Sequence, residues 1–313
     1  AEEVAAHGVP VTLVESSDAL GGTVPLRVAS DPELREQWCA LAERVSSNPD
    51  VDVRLNSTVS GIETAEGGFL PAIEGSGSSA EAVHGVLIAA TGAADHVPPE
   101  RLGGASVMTQ GQLAESLGSN GEGLGSVVMV QCVGSRSAEH PYCSRTCCAD
   151  ALRSALRLKQ EDPDGEVTIL HRGVRVWGFD EELLSEATEQ GIGFIEVADT
   201  AEVVEGERLT VTATRVDGSR VSLEPDAVVL STGVEPSAET AGVAEAVGVD
   251  LCYDGFFENV GLVRGAGEGP RVYVCGRAGG PAELHERVTQ ARAAAGKACL
   301  YLKRGHDEAQ GSR

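Results

Sequence analysis

Lysine is the scarcest charged residue in this chain: positions 159, 297 and 303 hold the only lysines among 24 basic residues, which face 48 acidic ones for a formal charge of −24. Such a surface repels phosphate backbones, which argues against nucleic acid as a partner. The acidity suits a saline cytoplasm, although a high-GC genome would also replace lysine by arginine. Long apolar runs are missing too. No stretch reaches the roughly 18 residues that a membrane-spanning helix needs, and no secretory leader opens the chain. Direct membrane insertion is therefore not expected, and a cytoplasmic location is. What is present is 313 residues, 42% hydrophobic and with 39 glycines, enough for two ordinary domains of an α/β protein.

A second absence concerns the amino end. The segment AEEVAAHG reads as the last turns of a helix closed by Gly8, VPVTLVE as a buried strand, and Glu15 as the acid at its carboxyl end. In a dinucleotide-binding βαβ unit that acid follows a Gly-x-Gly-x-x-Gly loop by about 20 residues. Counting back from Glu15 runs off the start of the chain, so the first strand and its glycine loop are expected to be absent from this sequence.

Tandem Cys-x2-Cys runs of the bacterial ferredoxin kind are also lacking. Instead Cys132, Cys143, Cys147 and Cys148 follow the strand VVMVQ at the spacing Cys-x10-Cys-x3-Cys-Cys. Iron in a [4Fe-4S] cluster prefers thiolate sulfur, and a loop leaving a buried strand turns several sulfurs toward one point. Four thiolates also suit a closed tetrahedral zinc site, and a structural disulfide is the plainest alternative. The neighbours Cys147 and Cys148 would point about 100° apart on a helix, a problem that a helix first turn or a bent loop relieves. Arg136, Arg145 and Arg153 stand near enough in sequence to offset thiolate charge.

Around these motifs the pattern is that of alternating strands and helices. Residues 31–46 read as an amphipathic helix and 51–59 as a strand, and 62–83 as a hairpin or meander with a flexible tip at 75–79. GVLIAATGA reads as a buried strand, residues 118–125 as a glycine-rich linker, and 147–159 as a helix. EVTILHR is a further strand that ends in His171 and Arg172, where an NADPH enzyme would grip a phosphate and where a solvated strand end is the plainer reading. The stretch 179–190 is read as a helix, 208–216 and 219–223 as a hairpin turning at Asp217-Gly218, and DAVVLSTG as a return to the sheet. RVYVCGRAGGP leads into a helix over 284–303, and residues 304–313 read as a disordered tail.

The run QCVGSRSAEHPYCSRTCC, with DAVVLSTGVEPS, DGFF and VYVCGRAGGPAELHERVTQARAAAGKA further on, resembles the A subunit of heterodisulfide reductase and the related flavoprotein of quinone-interacting oxidoreductase complexes. The likeness covers about 126–302. It implies an α/β fold of two Rossmann-like dinucleotide-binding domains of the FAD/NAD(P) flavoprotein type. A discontinuous FAD-binding domain would take 1–100 and 232–303, and an NAD(P)-like domain carrying the cysteine loop would take 101–231. It further implies FAD held by Glu15, Gly21, Gly22, Val59, Ala90, Thr91, Gly92, Gly276, Arg277, Ala278, Gly279, Pro281, Gln290 and Ala291. An unusual [4Fe-4S] cluster would sit on Cys132, Cys143, Cys147 and Cys148 in place of a nicotinamide.

The implied activity is that of an oxidoreductase subunit which relays electrons between FAD and the cluster, beside iron–sulfur subunits of the B and C type. A homodimer stays open. Two other readings remain at this point: a pyridine nucleotide–disulfide reductase using Cys143 and Cys147, and a cofactor-free structural subunit or gene remnant. Without a glycine loop, flavin binding by this chain would be weak.

Overall fold

The computed structural model describes residues 1–22, 24–27, 32–75, 82–97, 106–118, 124–258, 261–264 and 271–311. In chain order the elements begin with α1 (Glu2–Ala5), β1 (Val11–Val14), α2 (Val24–Arg27), α3 (Pro32–Ser47), β2 (Val51–Arg54), β3 (Ser57–Ala65), β4 (Gly68–Gly75), β5 (Val86–Ala89) and β6 (Ala93–Asp95). The middle of the chain supplies β7 (Val107–Thr109), α4 (Gln110–Gly118), β8 (Val127–Val133), α5 (Cys147–Glu161), β9 (Val167–His171), α6 (Glu181–Glu189) and β10 (Gly193–Glu196). Then come β11 (Glu202–Glu205), β12 (Leu209–Thr214), β13 (Arg220–Leu223), β14 (Ala227–Thr232), β15 (Val234–Pro236), α7 (Glu239–Val247), β16 (Gly261–Arg264), β17 (Arg271–Val274) and α8 (Leu284–Gly311).

Two compact units result, one from Ala1–Gly22, Glu36–Ala94 and Glu235–Arg313, the other from Thr23–Arg35 and Asp95–Val234. The chain therefore crosses between them at 94/95 and 234/235, where the sequence reading drew its borders at 100/101 and 231/232. Thr23–Arg35 also counts with the second unit, not the first. Among the described residues no helix is long and apolar enough to cross a membrane.

The second unit is a five-stranded sheet in the order β10-β9-β8-β14-β7, parallel at every pairing. Its central strand explains why the sequence there is apolar without alternation. Val127 and Met129 join the cluster of Leu152, Ala155 and Leu156 from α5, while Val128 and Val130 join Val211 and Ala213 of the antiparallel sheet β11-β12-β13. Both faces of β8 are thus covered, and every second residue still has a hydrophobic partner. Only the β12–β13 hairpin of that small sheet was evident in the sequence. β11 reads GluValValGlu, too short and too polar at its ends to mark a strand by pattern alone.

In the first unit, β1 pairs with β2 in parallel, β17 pairs in parallel with β5 and antiparallel with β16, and β3 with β4 form a hairpin. Val272 and Val274 of β17 pack with Phe69, Ala244 and Val247. On the other side, Tyr273 and Cys275 meet Ala294 and Ala298 of α8. Val11 of β1 and Ile88 of β5 share a third cluster with Val4, Ala295 and Cys299. The buried Cys275 and Cys299 are thus packed small residues, as their apolar surroundings dictate.

Several local expectations change. The strand expected over 51–59 breaks at Leu55-Asn56, because Asn56 takes a left-handed φ of 49°, a conformation asparagine tolerates better than most residues. The hairpin turns at Glu66-Gly67 instead of 75–79; Gly75 lies at the end of β4 and residues 76–79 lie outside the described ones. Most of the 118–125 linker, 119–123, does so too. Residues 304–311, expected as a disordered tail, continue α8, a stretch that contains no proline to stop it.

Leu152, 1% exposed and at the centre of the α5 cluster, gives a direct test of this packing. Leu152→Ala should cost about 2–5 kcal/mol, read as a lowered midpoint in denaturant unfolding at unchanged m-value.

Candidate functional site

Parallel pairing of β8 with β9 and β14 sends three strand exits to one edge of the sheet, the edge at which open α/β sheets bind their ligands. β8 delivers Cys132 there through a bulge: Val130 pairs with Leu230 and Val133 with Thr232, so Gln131 and Cys132 face the single residue Ser231. Cys132 accordingly adopts φ 65°, a left-handed backbone that costs a side-chain-bearing residue about 1–2 kcal/mol. Gly134 follows at φ 70°, and the Gly233 N–H donates to the Val133 carbonyl at 2.6 Å. A Cβ on Gly233 would lie 2.7 Å from the Gly134 carbonyl oxygen, so glycine is required where the exits of β8 and β14 meet.

The loop from Gly134 to Thr146 then curls back as a braced hook. The backbone N–H of Arg136 donates to the Tyr142 carbonyl at 3.0 Å and that of Ser137 to the His140 carbonyl at 3.0 Å. Tyr142 donates its hydroxyl to the Val234 carbonyl at 2.9 Å, and the Val234 N–H donates to the buried Ser144 hydroxyl at 3.0 Å. Arg145 takes φ 62°, which lets its N–H reach Cys143 Sγ at 3.4 Å. Cys147 and Cys148 open α5, so the adjacent pair occupies the helix first turn that relieves its geometry. The free amides and positive end of that turn favour thiolate there.

All eight cysteines are free, so neither a structural disulfide nor a Cys143–Cys147 bond is present. Cys132, Cys147 and Cys148 are buried and Cys143 is half-buried. Among the described residues no three of these sulfurs lie within 4.8 Å of one another. A single tetrahedral zinc with Zn–S bonds of about 2.3 Å needs sulfurs about 3.8 Å apart.

Charge around the sulfurs comes from arginines, though not quite those the sequence suggested. Burial pushes the Cys132 thiol up, Cys148 adds to this, and Arg172 and Arg136 oppose it. Within the adjacent pair, Cys147 donates a hydrogen bond to Cys148. That bond, aided by the Arg175 backbone N–H and the charges of Arg136 and Arg175, brings Cys148 down to about 7, and it raises Cys147 together with burial. Arg153 is spent elsewhere, paired with Asp180 at 2.6 Å and Asp150 at 3.7 Å. Arg145 stacks over Trp177 at 5.3 Å. Arg172, read from sequence as a solvated strand end, instead donates to the carbonyls of Arg136 and Ser135 at 3.1 and 2.8 Å. The signal for Arg172 and Arg175 was the chain order itself, because residues that follow β9 must flank the loop that follows β8.

The residues named for flavin lie in the first unit. β5 and β17 run in parallel with Ala89 opposite Val274, so Ala90, Thr91 and Gly92 leave the sheet beside Gly276. The Cys275 N–H donates to the Ala89 carbonyl at 3.1 Å. Gly276 has φ 68° with open space where a Cβ would project, a cradle that another backbone or a ligand can approach. Its N–H donates to Gln290 Oε1 at 2.9 Å, tying the Gly276–Gly279 turn, which includes the buried Arg277 and Ala278, to α8. Ala291 is the next residue of α8, and Pro281 lies between the turn and that helix. Thr91 shares a hydrogen bond of 3.1 Å with Thr240. Glu15 follows β1, with one carboxylate oxygen accepting from the Ser17 N–H and hydroxyl at 3.0 and 2.7 Å. Gly21 packs against Trp38 and Gly22 follows it in the same turn. Val59 belongs to the β3–β4 hairpin, opposite Ile73, and not to the strand exits.

The fold is that of the two-domain FAD/NAD(P)-type disulfide reductases. It superposes on T. acidophilum thioredoxin reductase with TM-score 0.64 at 18% identity over 96% of this chain and 93% of that one. On a NAD-dependent persulfide reductase from A. fulgidus the values are 0.55 and 19%, over 88% and 51%. No protein-family model matches. By sequence the chain is 36% identical over 191 residues to the iron–sulfur A subunit of the CoB--CoM heterodisulfide reductase of Methanocaldococcus jannaschii, covering 57% of this chain and 29% of that one. It is 33% identical over 220 residues to the A subunit of the H(2):CoB-CoM heterodisulfide,ferredoxin reductase of Methanothermobacter marburgensis, covering 67% and 33%. The chain is thus similar to heterodisulfide reductase A subunits, and it spans about a third of the length of these curated proteins.

A thiol held at about 7 is about half ionised at neutral pH, whereas its raised neighbours stay protonated. Ultraviolet thiolate absorbance of metal-free protein should therefore show one group titrating near pH 7 and the other buried thiols only in alkali. Arg136→Gln should move that first step upward, because it removes a charge that stabilises the thiolate.

Proposed function

We propose that this chain is an electron-transfer oxidoreductase subunit of a heterodisulfide-reductase-like complex, with FAD in the first unit and a [4Fe-4S] cluster on Cys132, Cys143, Cys147 and Cys148 in the second. The observation that carries the reading is the sulfur hook itself: four free thiols and a basic loop occupy the sheet edge where a dinucleotide fold binds its nucleotide. Such a cluster exchanges single electrons, and a flavin supplies the conversion to electron pairs.

The residues present fit both groups. Cys132 and Cys148 stand under the influence of arginine charge, and buried Cys147 beside them needs only the metal to displace its proton. On the flavin side, the paired exits of β5 and β17 present Thr91, Gly92 and the open face of Gly276. Glu15, steadied by Ser17, would take ribose hydroxyls, as acids at this position do in dinucleotide folds. Arg172 is committed to the hook, so it is not free to grip the phosphate of a nicotinamide cofactor. The partners would be iron–sulfur subunits of the B and C type in a cytoplasmic complex, and the sulfur or disulfide chemistry would belong to them.

The test is anaerobic preparation of the full chain with iron and sulfide analysis, visible absorption and EPR, beside Cys147→Ser and Cys39→Ser. Wild type and C39S should show the broad iron–sulfur band. C147S should lose most of it while keeping its far-ultraviolet spectrum. Stoichiometric zinc without iron, or iron content unchanged in C147S, would overturn the assignment.

A further inference from the structure

Arg172 differs from an ordinary surface arginine in where its charge is placed. Its side chain is 14% exposed. Nη1 and Nη2 donate to the Arg136 and Ser135 carbonyls at 3.1 and 2.8 Å, and Arg136 returns a hydrogen bond from its own Nη1 to the Arg172 carbonyl. The two arginines thus lock the exit of β9 to the exit of β8, immediately beyond Cys132. Arg172 Nε is buried and has no hydrogen-bond partner among the described residues.

A pure strut at this place would not need a cation. Desolvating a guanidinium costs several kcal/mol unless an anion answers it, and the carboxylate that pairs with it among the described residues, Asp199 at 3.9 Å, is 87% exposed. Its charge is solvated and weakly felt. The groups that the pair does face are thiols, which become anionic when they bind a metal: Arg172 holds the carbonyls of Ser135 and Arg136 just beyond Cys132, both arginines act on Cys132, and Arg136 also acts on Cys148. We propose that Arg172, with Arg136, is a positioning residue that holds the sulfur hook closed and supplies the positive charge that sets the potential and the retention of the cluster. This rests on the cluster assignment above. An added electron is stabilised by a nearby fixed cation in a medium of low dielectric, so removing that cation must make the centre harder to reduce.

The experiment uses the full chain, prepared without oxygen, as wild type, Arg172→Lys, Arg172→Gln and Asp199→Asn, with far-ultraviolet spectra to establish folding. EPR-monitored potentiometry gives the midpoint of each, and iron release to a chelator gives retention. R172Q should shift the reduction equilibrium by about tenfold or more toward the oxidised form, which for one electron is about 59 mV more negative, and it should release iron faster. R172K, which keeps the charge but not the two-pronged donor, should recover most of the potential but not the slow release, and D199N should leave both unchanged. If R172Q does not fold, Arg136→Gln carries the same test from the other side of the clamp. Potentials and release rates of folded R172Q equal to wild type overturn the proposal while the cluster stands, and so does an R172K potential as low as that of R172Q. A wild type that binds no iron overturns the cluster assignment, and with it this inference.

Discussion

The arrangement depends on one constraint, the parallel pairing of β8 between β9 and β14. Parallel strands deliver all their carboxyl ends to the same edge of a sheet, and β-strand ends bring backbone groups that must find partners or ligands there. Cys132, Arg172 and Gly233 come from three different strands yet meet because of that pairing. Antiparallel pairing at either side of β8 would have placed one of them at the opposite edge. The bulge at Gln131–Cys132 then decides which way the first sulfur turns, and the cost of its left-handed backbone is borne by a strand that is buried on both faces.

Electrostatics at this edge runs against the character of the whole molecule. The chain carries a net charge of −24, and its exposed arginines largely serve neighbouring carboxylates, as Arg153 and Arg44 do. Around the hook, Arg136 and Arg172 spend their donors on backbone carbonyls instead. Hydrogen bonds to carbonyls occupy the Nη donors of Arg172 and Nη1 of Arg136 without cancelling their charge. The result is a region of positive potential inside an acidic protein, which suits an anionic centre and which distant surface carboxylates weaken little at physiological ionic strength.

Much of this was legible in the sequence because apolar runs and cysteine spacing are local signals. Strands β1, β5, β8, β9 and β14 and helices α3, α5 and α8 stand where periodicity and flanking glycines put them. The short α4 and α7 were not evident, and neither was β11, since their burial is defined by partners far away in sequence. The thiol hook was visible as spacing, but its electrostatic partners were not. Arg153 looked equivalent to Arg136 on sequence distance alone; in the fold, its position on α5 turns it toward Asp180. Arg172 lay 40 residues from Cys132 and became a neighbour only through strand pairing. Val59 was placed with the flavin residues by likeness, and the hairpin that carries it is stabilised by its own cross-strand contacts.

The central claim is that the four sulfurs hold several metal ions and not one, and X-ray absorption of the anaerobically prepared full chain addresses it most directly. The account predicts an iron edge with about four sulfur neighbours per iron and a clear iron–iron shell. A zinc edge with sulfur at about 2.3 Å and no metal–metal scattering would contradict it.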